Sequence, residues 1–180
     1  MISGNPSDLR FDPVPREMTE EAFVERFGGV YEHSPWIARE TYRGGFGPTE
    51  DTPAGLGAAL AETVRGADRD RQLALIRAHP DLAGKAAQRG ELTRESTSEQ
   101  AGAGIDQCTP EEFERFQRYN GEYIEKFGFP FVMAVTGSNR HSILAAFAER
   151  LQNDAETEFR RALGEIDKIA RLRLEAMVAP

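Results

Sequence analysis

The chain is poor in cysteine and histidine: one cysteine, Cys108, and three histidines, His33, His79 and His141, in 180 residues. A lone cysteine excludes an internal disulfide, so the chain does not read as a secreted disulfide scaffold. The histidines are not paired at zinc-site spacing and Cys108 has no partner, so no metal site is expected. No run of 18 apolar residues occurs, which argues against a membrane-spanning helix. Positive charge is also short: 22 Lys and Arg stand against 30 Asp and Glu, a net charge of −8. Such a surface repels phosphate backbones and no basic cluster offsets it, so no nucleic-acid partner is expected. The opening "MISGNPSDLRFDP" lacks the apolar core of a signal peptide, and the closing "VAP" is not a peroxisomal address, so cytoplasm is the expected location. There is no Gly-x-Ser-x-Gly elbow, no Walker or dinucleotide loop, and no base beside Cys108 in sequence. An enzyme built from this chain is expected to work without a metal or a nucleotide.

What is present is helical. Residues 1–18 hold three prolines and little periodicity and read as an extended arm; residues 19–180 read as a single helical domain. Thr19 begins "TEEAFVERFGGVY", with Phe23, Phe27 and Val30 at helical spacing, and Gly28 and Gly29 end it. Leu56, Leu60 and Val64 share one face of the next long pattern. In "DRDRQLALIRAH", Leu73 and Ile76 are the expected anchors, Asp68 or Asp70 caps the start, and Pro80 stops the helix. Residues 85–107 read as helical but poor in large apolar groups. Thr109, Pro110 and Glu112 make a capping box for "TPEEFERFQRYNGEYIEKFG", whose stripe is Phe113, Phe116, Tyr123 and Phe127 and whose terminator is Gly128. "FPFVMAVTG" is the one β-like run, and without a strand partner it reads as a buried connector. Two helices close the chain, one with Ile143, Leu144, Phe147 and Leu151, the other with Phe159, Leu163, Ile166, Ile169 and Leu172. The fold class is all-α, with seven to nine helices.

Three stretches can carry chemistry. His79, in "LALIRAHPDLAGK", is either a cation at a helix C-terminus or a positioned proton donor; an imidazole titrates at about 6.5 and suits both roles. Ser96, Glu99 and Gln100, in "ESTSEQAGAG", fall at i, i+3 and i+4 and share a helix face. They are either a Ser-x-x-Glu capping box with a solvated glutamine or a hydroxyl, carboxylate and amide aimed at a polar ring. "KFGFPFVMAVTG" is core packing for most of its side chains. Its backbone N–H and C=O groups lack helix partners, however, and a flat heterocycle can supply them.

Taken in order, "FVERFGGVYEHSPWIA", "AHPDLAGK", "ESTSEQAGAG", "KFGFPFVMAVTG" and "LAAFAERLQNDAETEFRRALGEIDKIARLRL" resemble the 2-oxo-4-hydroxy-4-carboxy-5-ureidoimidazoline (OHCU) decarboxylase family, from about Thr19 to Leu174. His-Pro-Asp-Leu, Ser-x-x-Glu-Gln and Phe-Gly-Phe-Pro-Phe are its most specific marks, and no motif position departs. The resemblance implies an all-helical homodimer without a cofactor, converting the carboxylated ureidoimidazoline to (S)-allantoin in urate degradation. It implies His79 as the essential acid and Glu99 as a substrate ligand that takes part in the catalysis. It implies Pro80, Ser96, Gln100 and the segment Phe131, Val132, Met133, Ala134 and Val135 as substrate contacts. The "LRL" match selects Arg173, over Arg171, to meet the substrate carboxylate.

These residue types suit the implied reaction. Losing carbon dioxide leaves an electron pair that the substrate's conjugated ring can delocalise, so no electron-sink cofactor is needed. His79 would then protonate one face, while Glu99 either holds the substrate hydroxyl or orients the imidazole. Trp36 reads as core or wall, Phe113 as core, His33 and His141 as surface or capping residues, and Asp81 as a cap for the turn after Pro80. Two alternatives stay open: a non-catalytic helical interaction module, and a related lyase acting on another ureido or purine heterocycle.

Overall fold

A computed structural model describes residues 9–179. Residues 1–8 of the expected arm lie outside the described residues. Among the described residues there are nine α-helices and no strand, so the fold is all-α. The helices are α1 (Glu20–Phe27), α2 (Pro35–Arg43), α3 (Pro53–Gly66), α4 (Arg69–Ala78), α5 (Lys85–Gln88), α6 (Arg94–Gly102), α7 (Pro110–Phe127), α8 (Arg140–Arg150) and α9 (Ala155–Ala176). None is long and apolar enough to cross a membrane. Chain contacts divide the protein into two compact units, Met1–Leu75 with Asp167–Pro180, and Ile76–Ile166.

The first unit is organised by aromatic packing. Thr19 accepts the Ala22 N–H at 3.2 Å and starts α1, which ends at Gly28 as its glycines indicate. Phe23 and Phe27 are buried and their ring centroids are 4.9 Å apart. Phe11 joins them edge-on at 4.9 Å, and Arg26 donates to the Asp12 and Pro13 carbonyls at 3.1 Å. The described part of the arm is therefore anchored, and Pro15–Glu17 within it forms a 3-10 turn. Arg16 reaches the buried Asp51 at 3.2 Å. Leu56, Leu60 and Val64 bury the expected face of α3. Within this unit Tyr31 donates to Asp167 on α9 at 2.8 Å.

The second unit is built around α7. The Thr109 hydroxyl accepts the Glu112 N–H at 3.2 Å, and Glu112 accepts the Thr109 N–H at 2.9 Å. Gly128 ends the helix at φ 77°, a left-handed conformation that a side chain would strain. Phe116, Tyr123 and Phe127 are buried, but Phe113 is only half-buried and borders a cavity. Phe131 stacks on Phe147 at 3.7 Å.

Three details differ from the periodicity. On α4 the buried pair is Leu75 and Ile76, with Leu73 half-buried; adjacent residues point about 100° apart, so this helix buries two directions and not the single stripe of a three-residue spacing. Residues 85–107 are not one helix: Gly90, at φ 67°, interrupts them between α5 and α6. On α9, Leu163 and Leu172 are half-buried while Ala162, Ala170 and Leu174 are buried, so the buried face is partly lined by alanine.

Thr109→Ala removes the cap of α7 and is expected to cost about 1 kcal/mol of unfolding free energy, read as a lower urea midpoint at unchanged slope. A second expectation concerns pH. Burial pushes the Asp167 carboxyl above its ordinary range, against the opposing Tyr31 hydrogen bond and Arg65. The folded protein then binds more protons than the unfolded chain between the ordinary and the raised value, so stability falls as pH rises through that window. Urea midpoints should show wild type losing ground to Asp167→Asn as pH rises from the ordinary aspartate value through the raised one, with the difference level above the raised value.

Candidate active site

The turn after α4 is held from several sides. Asp68 accepts the Arg71 N–H at 2.9 Å and starts the helix. Pro80 has no N–H and disfavours helical backbone at the residue before it, so α4 ends at Ala78. His79 closes one tighter turn, its N–H reaching the Ile76 carbonyl at 3.2 Å, and is buried at 8% exposure. Pro80 is half-buried. Beyond it Ala83 sits at φ 52°, in the left-handed region that alanine rarely enters. Gly84 follows, where a Cβ would lie 2.6 Å from the Asp81 Cβ, so this position requires glycine.

A left-handed alanine persists only where its surroundings over-determine it. The Ala83 N–H donates to Gln100 Oε1 at 3.2 Å, and the Ala83 carbonyl accepts from Gln117 Nε2 at 2.7 Å. The Leu82 carbonyl accepts from Asn120 Nδ2 at 2.9 Å. Side chains of α6 and α7 thus grip the loop that follows His79. The Asp81 backbone carbonyl accepts the Gly84 N–H at 3.3 Å, a turn bond that does not involve the side chain, and burial raises the Asp81 carboxyl above the ordinary range.

On α6 the N-cap is Thr93, whose hydroxyl accepts the Ser96 N–H at 3.3 Å. Ser96 is therefore inside the helix, and the alternative of a Ser96–Glu99 capping box is removed. Ser96 and Gln100 are buried at 5% and 6% exposure, with Glu99 half-buried on the same face. Gln100 and Ala83 also border a cavity of about 600 Å³, completed by Leu92, Ile105, Cys108 and Phe113 among others. That volume lies in the range of small-molecule sites, although His79 is not among its lining residues. Burial raises the Cys108 thiol above its ordinary value, as does Glu112, which disfavours a thiolate nucleophile.

Phe131–Val135 is the buried connector that the sequence suggested, with Met133 half-buried and its four neighbours buried. Arg150 Nη1 donates to the Val132 carbonyl at 2.7 Å. The Ala134 N–H donates to Glu165 at 2.9 Å, and the Val135 carbonyl accepts the Ser138 N–H at 2.9 Å. The N–H and carbonyl of Met133 and the N–H of Val135 have no hydrogen-bond partner among the described residues.

The remaining candidates stand elsewhere along the chain. Arg173 belongs to the first unit, where it is buried and donates to Glu32 at 3.0 Å. His33 is exposed at φ 48°, and His141 is exposed and 3.4 Å from Glu112. Trp36 is half-buried beneath the Arg71 guanidinium at 3.7 Å. Sequence reading missed Gln117, Asn120, Arg150 and Glu165, the residues that hold the two loops. Asn120 had a signal: it is the one polar position in the buried run Phe116, Asn120, Tyr123, Phe127 on α7.

Comparison with known proteins agrees with these motifs. The family model described as OHCU decarboxylase matches residues 16–175. A 2-oxo-4-hydroxy-4-carboxy-5-ureidoimidazoline decarboxylase of Haloferax volcanii is 44% identical over 93% of this chain and 95% of its own. The corresponding Mus musculus protein is 40% identical over 84% of each chain. Among solved structures, an (S)-allantoin synthase superposes with a TM-score of 0.72 at 30% identity, covering 92% of this chain and 52% of that one. An OHCU decarboxylase determined in the presence of (S)-allantoin superposes with a TM-score of 0.68 at 21% identity and shares the fold. With the family model covering most of its length and relatives this similar, the chain belongs to the OHCU decarboxylase family.

Proposed function

We propose that this protein is a carboxy-lyase of urate degradation. It removes carbon dioxide from 2-oxo-4-hydroxy-4-carboxy-5-ureidoimidazoline to give (S)-allantoin, without a cofactor. The observation that carries the reading is the bond from the Ala83 N–H to Gln100. It joins the turn bearing His79 to the helix face bearing Ser96 and Glu99, the set that the decarboxylase motif needs in one place.

In this reading His79 is the acid that protonates the ring carbon after carbon dioxide leaves. Its burial and its rigid turn support that role, since a proton donor must be held within hydrogen-bond reach of one face. Pro80 serves by stopping the helix there. Gln100 gives its carbonyl oxygen to Ala83, so its amide group is the donor available for a substrate oxygen. Ser96 supplies a hydroxyl, and Glu99 binds the substrate hydroxyl or orients His79. Phe131, Val132, Ala134 and Val135 form wall and backbone contacts, with the Met133 N–H and carbonyl offering a donor and an acceptor to a ureido edge. Arg173 keeps the role of binding the substrate carboxylate, supported by the "LRL" resemblance. The protein is proposed to act as a cytoplasmic homodimer on a small heterocycle, without a nucleic-acid or membrane partner.

The test generates substrate with uricase and the upstream hydrolase and follows (S)-allantoin by circular dichroism. Acceleration over spontaneous decay is expected; its absence rejects the assignment in favour of a non-catalytic module. His79→Asn should fold, with an unchanged far-ultraviolet spectrum, and lose roughly 100-fold or more in kcat. A folded variant with full activity would reject the acid role. Arg173→Met should raise KM, and an unchanged KM would remove Arg173 from substrate binding.

A further inference from the structure

A charged cluster in the core of the second unit has no part in the chemistry above. Arg150 is 4% exposed and Glu158 fully buried, with Arg150 Nη2 and Glu158 Oε2 2.9 Å apart. The Tyr123 hydroxyl donates to the same carboxylate, and Asn153 Nδ2 donates to its other oxygen at 2.8 Å. A buried ion pair is often no more stabilising than apolar residues of the same volume, so stability alone is a weak reason for this one. Its other contacts all lead to one place. Arg150 Nη1 holds the Val132 carbonyl at 2.7 Å, and the guanidinium lies 4.2 Å from the centre of the Phe131 ring.

We propose that Arg150, Glu158 and Tyr123 form a positioning frame for substrate, acting through the backbone of Phe131–Val135. The frame rests on the reading of that segment as a substrate contact. Arg150 fixes the Val132 carbonyl from one side of Met133, and Glu165 fixes the Ala134 N–H on the other. With both neighbouring peptides held, the direction of the Met133 N–H and carbonyl is set before a ligand arrives. That is preorganisation: the ordering cost is met during folding and not during binding. Guanidinium suits the task because its planar fork can serve the Glu158 carboxylate, the Val132 carbonyl and the Phe131 ring together, which an ammonium cannot. Burial, with the Glu158 hydrogen bond, pushes the Tyr123 phenol above its ordinary range and keeps it a donor to that carboxylate.

Arg150→Lys tests the frame, because lysine keeps the charge beside Glu158 but loses the fork. In folded protein the dissociation constant for (S)-allantoin, by calorimetry, should rise roughly tenfold, and kcat/KM should fall by a similar factor, as for the loss of one or two oriented hydrogen bonds. The pH dependence of kcat should not move, since the acid is untouched. Tyr123→Phe keeps the ring and removes one bond of the frame; it should show a smaller loss of the same kind and decides the matter if Arg150→Lys does not fold. Ile143→Val, a core change outside the frame, should lower the melting temperature without altering (S)-allantoin binding. Folded Arg150→Lys or Tyr123→Phe with wild-type binding and turnover would overturn the frame. Wild-type protein that does not bind (S)-allantoin would instead overturn the reading of the Phe131–Val135 segment, and the frame with it.

Discussion

Buried backbone that is not helical must find hydrogen-bond partners elsewhere, and in the second unit this constraint sets the architecture. A helix satisfies its own N–H and carbonyl groups; the turn at 79–84 and the segment at 131–135 do not. Both are buried or nearly so, and both are served by side chains from neighbouring helices. Gln100, Gln117 and Asn120 serve the first, and Arg150 and Glu165 the second. Polar residues at otherwise apolar positions of α7 and α8 are the consequence.

The same constraint explains how a bundle of helices can hold a reactive site. Regular helices expose few backbone groups to a ligand, and their side chains are largely committed to packing. Irregular segments, once anchored, present N–H and carbonyl groups in fixed directions and can hold strained backbone such as the left-handed Ala83. For a decarboxylation that relies on the substrate's own ring to carry charge, the protein need only fix orientation, donate hydrogen bonds and deliver a proton. In oxyanion-hole-type sites a single well-placed donor contributes about 2.7–4 kcal/mol of barrier lowering, so rigid donors on the two segments would serve the proposed reaction.

Much of this was legible locally. The caps at Thr19 and Thr109, the stop at Pro80, the left-handed Gly128 and the faces of α3 and α7 depend on residues three or four apart. The places where periodicity went astray have one cause, which is that short patterns fit more than one register. Ser96-x-x-Glu99 fits a capping box, yet Thr93, three residues earlier, takes the cap. Leu73 and Leu75 both fit a short helix with Ile76, and packing selected Leu75. Phe113 continues an apolar stripe but borders a cavity and is not fully packed.

Local pattern along the chain is enough for the all-α class, most helix limits, and the ordered motifs that mark the family and single out His79, Ser96, Glu99 and Gln100. The packing of distant elements settled which polar atoms bond one another. Gln100 reaches Ala83 across 17 residues, Arg150 reaches Val132 across 18, and Asn120 reaches Leu82 across 38. Helical periodicity carries information over one or two turns, so it reports a face and an end. The partner of a loop carbonyl is fixed only when distant helices pack, and for that reason Gln117, Asn120, Arg150 and Glu165, which hold the two segments, stayed hidden while the motif residues did not.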